Sequence, residues 1–158
     1  MIFIGYGPVG RTLSRILRDN GIPVVVVETN LQTVQQLLSE GEAAVYGDAS
    51  EREILHHAGI EKADGLIIAA SGVSADAVVK AARELNPKIR ILTRATYLGE
   101  TGKLREAGAN AVFSSEGEIA LSMTEFVMRQ MGATDEQIDR ERDRVRTELF
   151  PPQLEREV

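Results

Sequence analysis

Six residues near the start of the chain, Gly5-Tyr6-Gly7-Pro8-Val9-Gly10, form a G-x-G-x-x-G turn. The turn follows a short apolar run at residues 2–4 and precedes a helical pattern. The first glycine permits a tight turn, the second leaves room for a phosphate against the backbone, and the third lets the helix pack closely on the strand. Pro8 suits the first helical position, where a backbone N–H is dispensable. The spacing therefore predicts a phosphate held at the start of a helix.

An acidic residue, Glu28, ends the second apolar run, about twenty residues after the glycine turn. Its carboxylate can accept hydrogen bonds from both hydroxyls of a ribose and would repel a 2′-phosphate. Together with the turn, it predicts an adenine nucleotide with an unmodified ribose, NAD(H) or AMP, ADP or ATP, and disfavours NADP. The alternative is a glycine-rich turn that binds nothing, and the combination of strand, helix and Glu28 weighs against it.

Composition excludes several classes of protein. The 158 residues are 43% apolar and include no cysteine, which fits one domain without disulfides in a reducing cytoplasm. A net charge of −6 and 4% aromatic residues argue against nucleic-acid binding. The chain has no apolar run near the roughly 20 residues of a membrane helix and no signal peptide before its first strand, so we expect no direct membrane insertion.

Strand and helix patterns alternate from the first residue to about residue 131. The strand patterns fall at residues 2–4, 24–27, 43–46, 66–70, 89–93 and 111–113. Because right-handed crossovers join parallel strands, they predict an α/β fold, a Rossmann-like doubly wound parallel six-stranded sheet in the order 3-2-1-4-5-6. We assign residues 1–131 to this nucleotide-binding domain and residues 132–158 to a charged helical C-terminal extension, which Pro151-Pro152 should end.

The helix ends carry local signals. Asn30 is a good N-cap, and capping boxes are expected at Ser50 to Glu53, Ser115 to Glu118 and Thr134 to Gln137. Two further helical patterns span residues 74–85 and 97–107. The first helix is expected to turn one apolar face inward, with these residues: Val9, Leu13, Ile16 and Leu17. The thin apolar stripe of the extension, Ile138, Val145 and Leu149, must dock on this domain, dock on a partner subunit, or fray.

Further candidate site residues follow the ends of other strands, where a doubly wound sheet binds its ligand. They are Thr29 after Glu28, Gly47, Asp48 and Ala49 after strand three, Ala70 and Ser71 after strand four, and Arg94 after strand five. Asp48 could accept hydrogen bonds from the base or hydroxyls, or belong to a turn before a helix. Arg94 could pair with a phosphate or hold a loop through Glu116.

Several of these motifs together resemble the N-terminal lobe of RCK domains, also called KTN or TrkA-N domains. They are the glycine turn, Val26-Val27-Glu28, Tyr46-Gly47-Asp48-Ala49-Ser50, Ala63-Asp64-Gly65-Leu66-Ile67-Ile68-Ala69, Arg94-Ala95 and Leu104-Arg105-Glu106-Ala107-Gly108-Ala109. The resemblance covers roughly residues 1–131, and the stretch from Arg94 to Gly108 is similar to Kef-type potassium/proton antiporter domains in particular. One departure is Ser115, which stands where the family often has proline before the acidic residue.

The resemblance implies a cytoplasmic, dimeric nucleotide sensor that regulates an associated potassium channel or cation/proton antiporter at the inner face of the membrane. It implies nucleotide contacts from the glycine turn, Glu28, Asp48 and the Arg94 region. A homodimer through helices is also expected because residues 115–131 carry large apolar side chains on more than one side. The enzyme alternatives are an NAD-dependent oxidoreductase fragment and a class I methyltransferase. We expect no enzyme, because the Tyr-x-x-x-Lys pair, a substrate domain and the methyltransferase acid before the first glycine are missing.

Overall fold

Six strands form one parallel sheet in the order β3-β2-β1-β4-β5-β6 in the computed structural model, which describes residues 1–150. The strands are β1 (Ile2–Ile4), β2 (Val25–Glu28), β3 (Ala43–Tyr46), β4 (Gly65–Ile68), β5 (Arg90–Ala95) and β6 (Ala111–Ser114). In the centre of the sheet, Phe3 of β1 lies opposite Val26 of β2 and Ile67 of β4. The predicted strand order is therefore confirmed.

Seven helices connect and follow these strands within residues 1–150. They are α1 (Pro8–Asp19), α2 (Leu31–Ser39), α3 (Arg52–His57), α4 (Ala75–Leu85), α5 (Thr101–Ala107), α6 (Ser115–Gln130) and α7 (Asp135–Leu149), with 3₁₀ turns at Ile60–Lys62 and Leu98–Glu100. None of the helices in this part of the chain is long and apolar enough to cross a bilayer.

The sheet buries apolar side chains on both faces. Ile2 and Ile4 point into the larger core, which includes residues of α3, α4 and α5. Phe3 and Val26 point to the opposite face and pack with Leu37 of α2 in a smaller core. This two-sided burial explains why the central strands have apolar side chains at every position, since alternation is needed only where one face meets water.

Helix α1 differs from the sequence prediction in the face that it turns inward. Gly10 and Ser14 are its buried residues, whereas the predicted inward residues Val9, Leu13 and Ile16 are 42%, 37% and 44% exposed. The reason is the close approach of α1 at Gly10, where an added Cβ would overlap the Gly5 carbonyl oxygen. The larger apolar side chains flank this contact line instead of occupying it. Leu17, the fourth predicted residue, is half-buried and packs against the smaller core.

Two of the predicted helix caps are displaced by one residue. Glu51, not Ser50, is the N-cap of α3, because the Ser50 N–H donates to Asp48 Oδ1 at 2.8 Å in a tight turn. Ser114, not Ser115, caps α6 and accepts from the Gly117 N–H, because β6 extends one residue further through pairing with β5. The caps at Asn30 and Thr134 are confirmed.

The extension folds back on its own chain. Helix α7 packs along α6 and buries Ile138, while Leu121 is the buried apolar residue of α6. Arg129 near the end of α6 bonds Asp135 at the start of α7, with 3.0 Å between Nη1 and Oδ1. The hairpin therefore satisfies one apolar side of α6. The predicted stop at Pro151-Pro152 lies outside the described residues.

Candidate functional site

A cleft of about 440 Å³ opens at the carboxyl ends of β1, β2, β4 and β5. Most of the predicted site residues line it, namely Gly5, Tyr6, Gly7, Pro8, Val9, Glu28, Thr29, Asp48, Ala70, Ser71 and Arg94. The cleft lies where strand order reverses between β1 and β4, the position at which open α/β sheets bind their ligands.

The glycine turn is shaped by three different constraints. Gly5 has a φ of +89°, and a Cβ placed there would lie 2.5 Å from the Cβ of Ala70. A Cβ on Gly10 would overlap the carbonyl oxygen of Gly5, so this glycine sets the distance between α1 and the turn. A Cβ on Gly7 would meet no atom within 4 Å, because it would project into open space. Packing within the domain therefore requires a glycine at positions 5 and 10 but not at position 7, where a side chain would obstruct only a ligand.

The start of α1 presents free donors to the cleft. The backbone N–H groups of Gly7, Val9 and Gly10 donate to no acceptor within residues 1–150, and Pro8 between them carries no N–H. Such unpaired groups at a helix start, together with the positive end of the helix dipole, attract an anion. The geometry suits a phosphate or pyrophosphate.

Glu28 ties the glycine turn to the loop after β2. Its Oε2 accepts from the Tyr6 N–H at 2.8 Å, and its Oε1 accepts from the Thr29 N–H at 2.8 Å and the Asn30 N–H at 2.9 Å. The Oε1 atom is saturated by these donors, whereas Oε2 keeps a lone pair for one more. These hydrogen bonds hold the carboxylate in place without a ligand, and its Oε2 can accept a further hydrogen bond from a hydroxyl.

Asp48 lies across the cleft, in the loop after β3. The backbone N–H and the hydroxyl of Ser50 hold the pKa of the Asp48 carboxyl below its usual value. The residue is therefore ionised at neutral pH. Asp48 accepts from the Ser50 N–H through Oδ1 in the turn into α3 and also lines the cleft, so both of its predicted roles are compatible with the geometry.

Arg94, at the end of β5, lies on the wall of the cleft. Its Nε–H donates to the Ser115 Oγ at 2.8 Å. The alternative partner considered for it, Glu116, instead accepts from the Leu98 N–H through Oε2 at 2.9 Å. Among residues 1–150, no acceptor is recorded for the terminal nitrogens of Arg94, which leaves them available to an anion.

Three predicted residues lie behind the cleft surface. Gly10 supports α1, Ala49 is 3% exposed in the core, and a Cβ on Gly47 would collide with Ile54. Five lining residues were missed: Ser50, Ala69, Gly72, Val73 and Ser74. Four of them extend the Ala70-Ser71 segment at either end, and the small residues of this loop were the signal that could have found them.

Few charged side chains line the cleft. The charged side chains that line it are Glu28, Asp48 and Arg94. No group of three metal-ligating side chains occurs in the described part of the chain. The arrangement offers donors to phosphates, acceptors to hydroxyls or a base amino group, and one free guanidinium fork. It defines a Rossmann-like nucleotide-binding domain.

Comparison with known proteins places the domain in a family. The TrkA-N domain family matches residues 1–115, so the chain belongs to the TrkA-N family. It is 40% identical over 127 residues, 80% of its length, to the putative cation/proton antiporter YbaL of Escherichia coli strain K12. The match spans 23% of that antiporter. The resemblance derived from the motifs is confirmed.

Solved structures agree with the fold. The TrkA-N domain of YbaL from Escherichia coli superposes with a TM-score of 0.76 at 40% identity, covering 79% of this chain and 93% of that one. The GsuK channel bound to NAD gives a TM-score of 0.71 at 25% identity over 78% of this chain and 22% of that one. The Shewanella denitrificans Kef C-terminal domain, in its AMP-bound form, gives 0.79 at 21% identity over 93% and 90%, which supports the fold alone. GsuK has also been solved bound to ADP.

Proposed function

We propose that this chain is a nucleotide-sensing regulatory domain that binds NAD(H) or an adenosine phosphate and gates an associated potassium channel or cation/proton antiporter. The observation that carries the proposal is the start of α1, where the unpaired backbone N–H groups of Gly7 and Val9 lie at a cleft whose rim holds the pre-positioned carboxylate of Glu28. Residues 1–131 form the ligand-binding domain in this proposal, and α7 in the extension braces α6.

Titration calorimetry with NADH, NADPH, AMP and ATP tests the ligand class. We expect NADH or an adenosine phosphate to bind more tightly than NADPH, because a 2′-phosphate would approach the Glu28 carboxylate. Glu28→Ala should weaken binding by about 1–3 kcal/mol, the range for a hydrogen bond to a charged group. Glu106→Ala, which removes an exposed carboxylate on α5, is the matched control. Tighter binding of NADPH than of NADH and AMP would overturn the ribose argument.

The domain acts without turnover in this proposal. Three charged side chains line the cleft, and we assign each of them to ligand binding. No two of them are hydrogen-bonded to each other as a general acid and base would be. Incubation with NADH and a panel of carbonyl compounds, or with S-adenosylmethionine and nucleophiles, is expected to give no product. Steady turnover that a cleft substitution such as Glu28→Ala abolishes would establish an enzyme instead.

We also propose that two copies of the chain associate through α6. The side of α6 away from α7 exposes a stripe of large apolar residues: Ile119 (59%), Met123 (63%), Phe126 (64%), Val127 (52%) and Met131 (80%). This apolar stripe runs the length of the helix, and exposed patches of this kind are typical of association sites. A second copy of the same stripe would cover it.

Light scattering at micromolar concentration tests the association. A dimer is expected, against 17.2 kDa for one chain. Phe126→Glu should shift the mass to the monomer, whereas Leu38→Glu, which places the same charge on another exposed apolar residue, should leave the dimer intact. A wild-type chain that stays monomeric at all concentrations would contradict the proposal.

The transporter partner follows from the family relationship, since the matched region is part of a putative cation/proton antiporter in YbaL. We place the domain at the cytoplasmic face of the membrane on the same ground. A chimera of YbaL that carries residues 1–150 in place of its own TrkA-N domain can be assayed for cation/proton exchange in everted vesicles. Exchange should respond to the nucleotide that binds the isolated chain, and Glu28→Ala should remove the response. A chimera that exchanges cations without any response to that nucleotide would argue against regulation.

A further inference from the structure

Arg94 lies between two neighbouring clefts. It lines the nucleotide cleft and also a second cleft of about 490 Å³, which continues past the same loop toward Thr96, Glu100 and Lys103. The residue is half-buried, so its long stem is confined while its guanidinium reaches the junction of the two clefts. A ligand phosphate that extends from the start of α1 along the Ala70–Ser74 loop would meet it there.

The guanidinium is fixed at one edge only. Its Nε–H is held by the Ser115 Oγ at 2.8 Å, and within residues 1–150 no acceptor is recorded for its two terminal nitrogens. An arginine bound in this way through Nε presents its terminal fork in a set direction, which suits two parallel hydrogen bonds to a phosphate. The same side chain without a partner at Nε would sample many rotamers and would lose that freedom on binding.

The hydroxyl of Ser115 is available to hold Arg94 because the residues on either side of it cap α6 and fix the neighbouring loop. Ser114 caps α6 through the Gly117 N–H, and the Glu116 carboxylate accepts from the Leu98 N–H. Neither function needs the hydroxyl of Ser115. Within residues 1–150, the one hydrogen bond of the Ser115 hydroxyl is the bond that it accepts from the Arg94 Nε–H.

We propose that Ser115 is a positioning residue, which holds the guanidinium of Arg94 so that its terminal nitrogens bind the phosphates of the nucleotide. The inference rests on the proposed function of the cleft and adds a residue from outside it. It also joins the ligand to the first turn of α6, because the residue that orients Arg94 belongs to that turn.

The test compares adenosine, AMP and ADP by calorimetry on the wild type, Ser115→Ala and Ser115→Thr. Ser115→Ala should weaken AMP or ADP by about 3- to 10-fold, the effect of letting one long side chain move freely before binding. Adenosine has no phosphate, so its affinity should not change. Ser115→Thr keeps a hydroxyl and should restore the affinity for the phosphorylated ligand. Unfolding curves of the variants should match the wild type, because Ser114 remains as the cap.

A double-mutant cycle with Arg94→Met separates positioning from a general structural effect. Arg94→Met should weaken AMP and ADP while leaving the affinity for adenosine unchanged, and adding Ser115→Ala to it should cause no further loss. Equal weakening of adenosine and ADP by Ser115→Ala, or full additivity with Arg94→Met, would overturn the role of Ser115 while leaving the nucleotide site intact. If the wild type binds neither these three ligands nor NADH and ATP, the proposed function fails and this inference fails with it.

Discussion

The same substitution at two glycines of one turn should weaken nucleotide binding in both cases but lower stability in only one. At Gly10, an added methyl group would overlap the Gly5 carbonyl oxygen, so α1 or the turn must move. Overpacking of this kind costs about 1–3 kcal/mol. For a domain of this size that corresponds to a fall in Tm of about 2–12 °C. Gly10→Ala should therefore lower stability, and it should weaken nucleotide binding because the turn has shifted.

At Gly7, the same methyl group meets no atom within 4 Å, and the backbone there, with a φ of −69°, suits any residue. The loss of glycine at an N-cap and the reduced entropy of the unfolded chain are both about 0.5–1 kcal/mol and oppose each other. Stability should change by less than about 0.5 kcal/mol. Binding should fall by at least about 10-fold, because the methyl group fills the space over the unpaired N–H groups that a phosphate needs.

The assay is chemical denaturation for stability and calorimetry with the best-binding nucleotide for affinity, on both variants and the wild type. The expected pattern is a stable Gly7→Ala that does not bind and a destabilised Gly10→Ala. A Gly7→Ala variant that binds as the wild type does would refute the assignment of the phosphate to the start of α1. A Gly10→Ala variant that is as stable as the wild type would refute the close packing of α1 on the turn.

Two further predictions concern stability. Arg83 donates to the carbonyls of Pro87, Ile89 and Gly108 at 2.7–3.0 Å, so Arg83→Met should cost about 2–4 kcal/mol in denaturation, against little for the exposed Arg90→Met. Glu61 raises the pKa of His56, and His56 in turn lowers the pKa of Glu61. The stabilising effect of the pair should therefore be present between those two pKa values, lost as pH rises through the His56 value and lost as pH falls through the Glu61 value. Denaturation of His56→Gln and the wild type across this range checks it, and a pH-independent difference would contradict the pairing.

The strand order and the glycine turn were predictable because their signals are local. A fully apolar strand such as β4 indicates burial on both faces, and Gly5 and Gly10 indicate a turn and a close helix contact by their type and spacing alone. The site residues at the strand ends followed from the same topology, since the carboxyl ends of parallel strands meet at one edge. The residues on either side of Ala70 and Ser71 were missed because small side chains indicate room for a ligand but do not show how far along the loop the cleft extends.

The errors arose where packing decides between neighbouring possibilities. The apolar face of α1 was assigned by side-chain type, but the fully buried residues of this helix are Gly10 and Ser14, and only Leu17 of the predicted face packs against the core. The cap of α6 moved to Ser114 because pairing of β6 with β5 continues as far as Ala95 and Ser114. The partner of Arg94 could not be read from sequence for the same reason, since a shift of one residue at the start of α6 exchanges Glu116 for Ser115.

The cleft and the apolar stripe of α6 lie on different parts of the molecule, and the hydrogen bond from Arg94 to Ser115 joins the wall of the cleft to the first turn of α6. Helix α6 has 16 residues and so is about 24 Å long, which means that a tilt of about 5° at Ser115 moves its far end by about 2 Å. Helix α7 packs against α6, so a tilt at Ser115 would move the far end of α6 instead of bending the helix.

Coupling between the cleft and the stripe is reciprocal. If nucleotide binding biases the pairing of two stripes, pairing must bias nucleotide affinity by the same factor. The affinity of the wild type should therefore depend on protein concentration across the dimer transition, whereas that of the monomeric Phe126→Glu variant should not. Equal affinities for both at every concentration would show that the cleft and the stripe act independently.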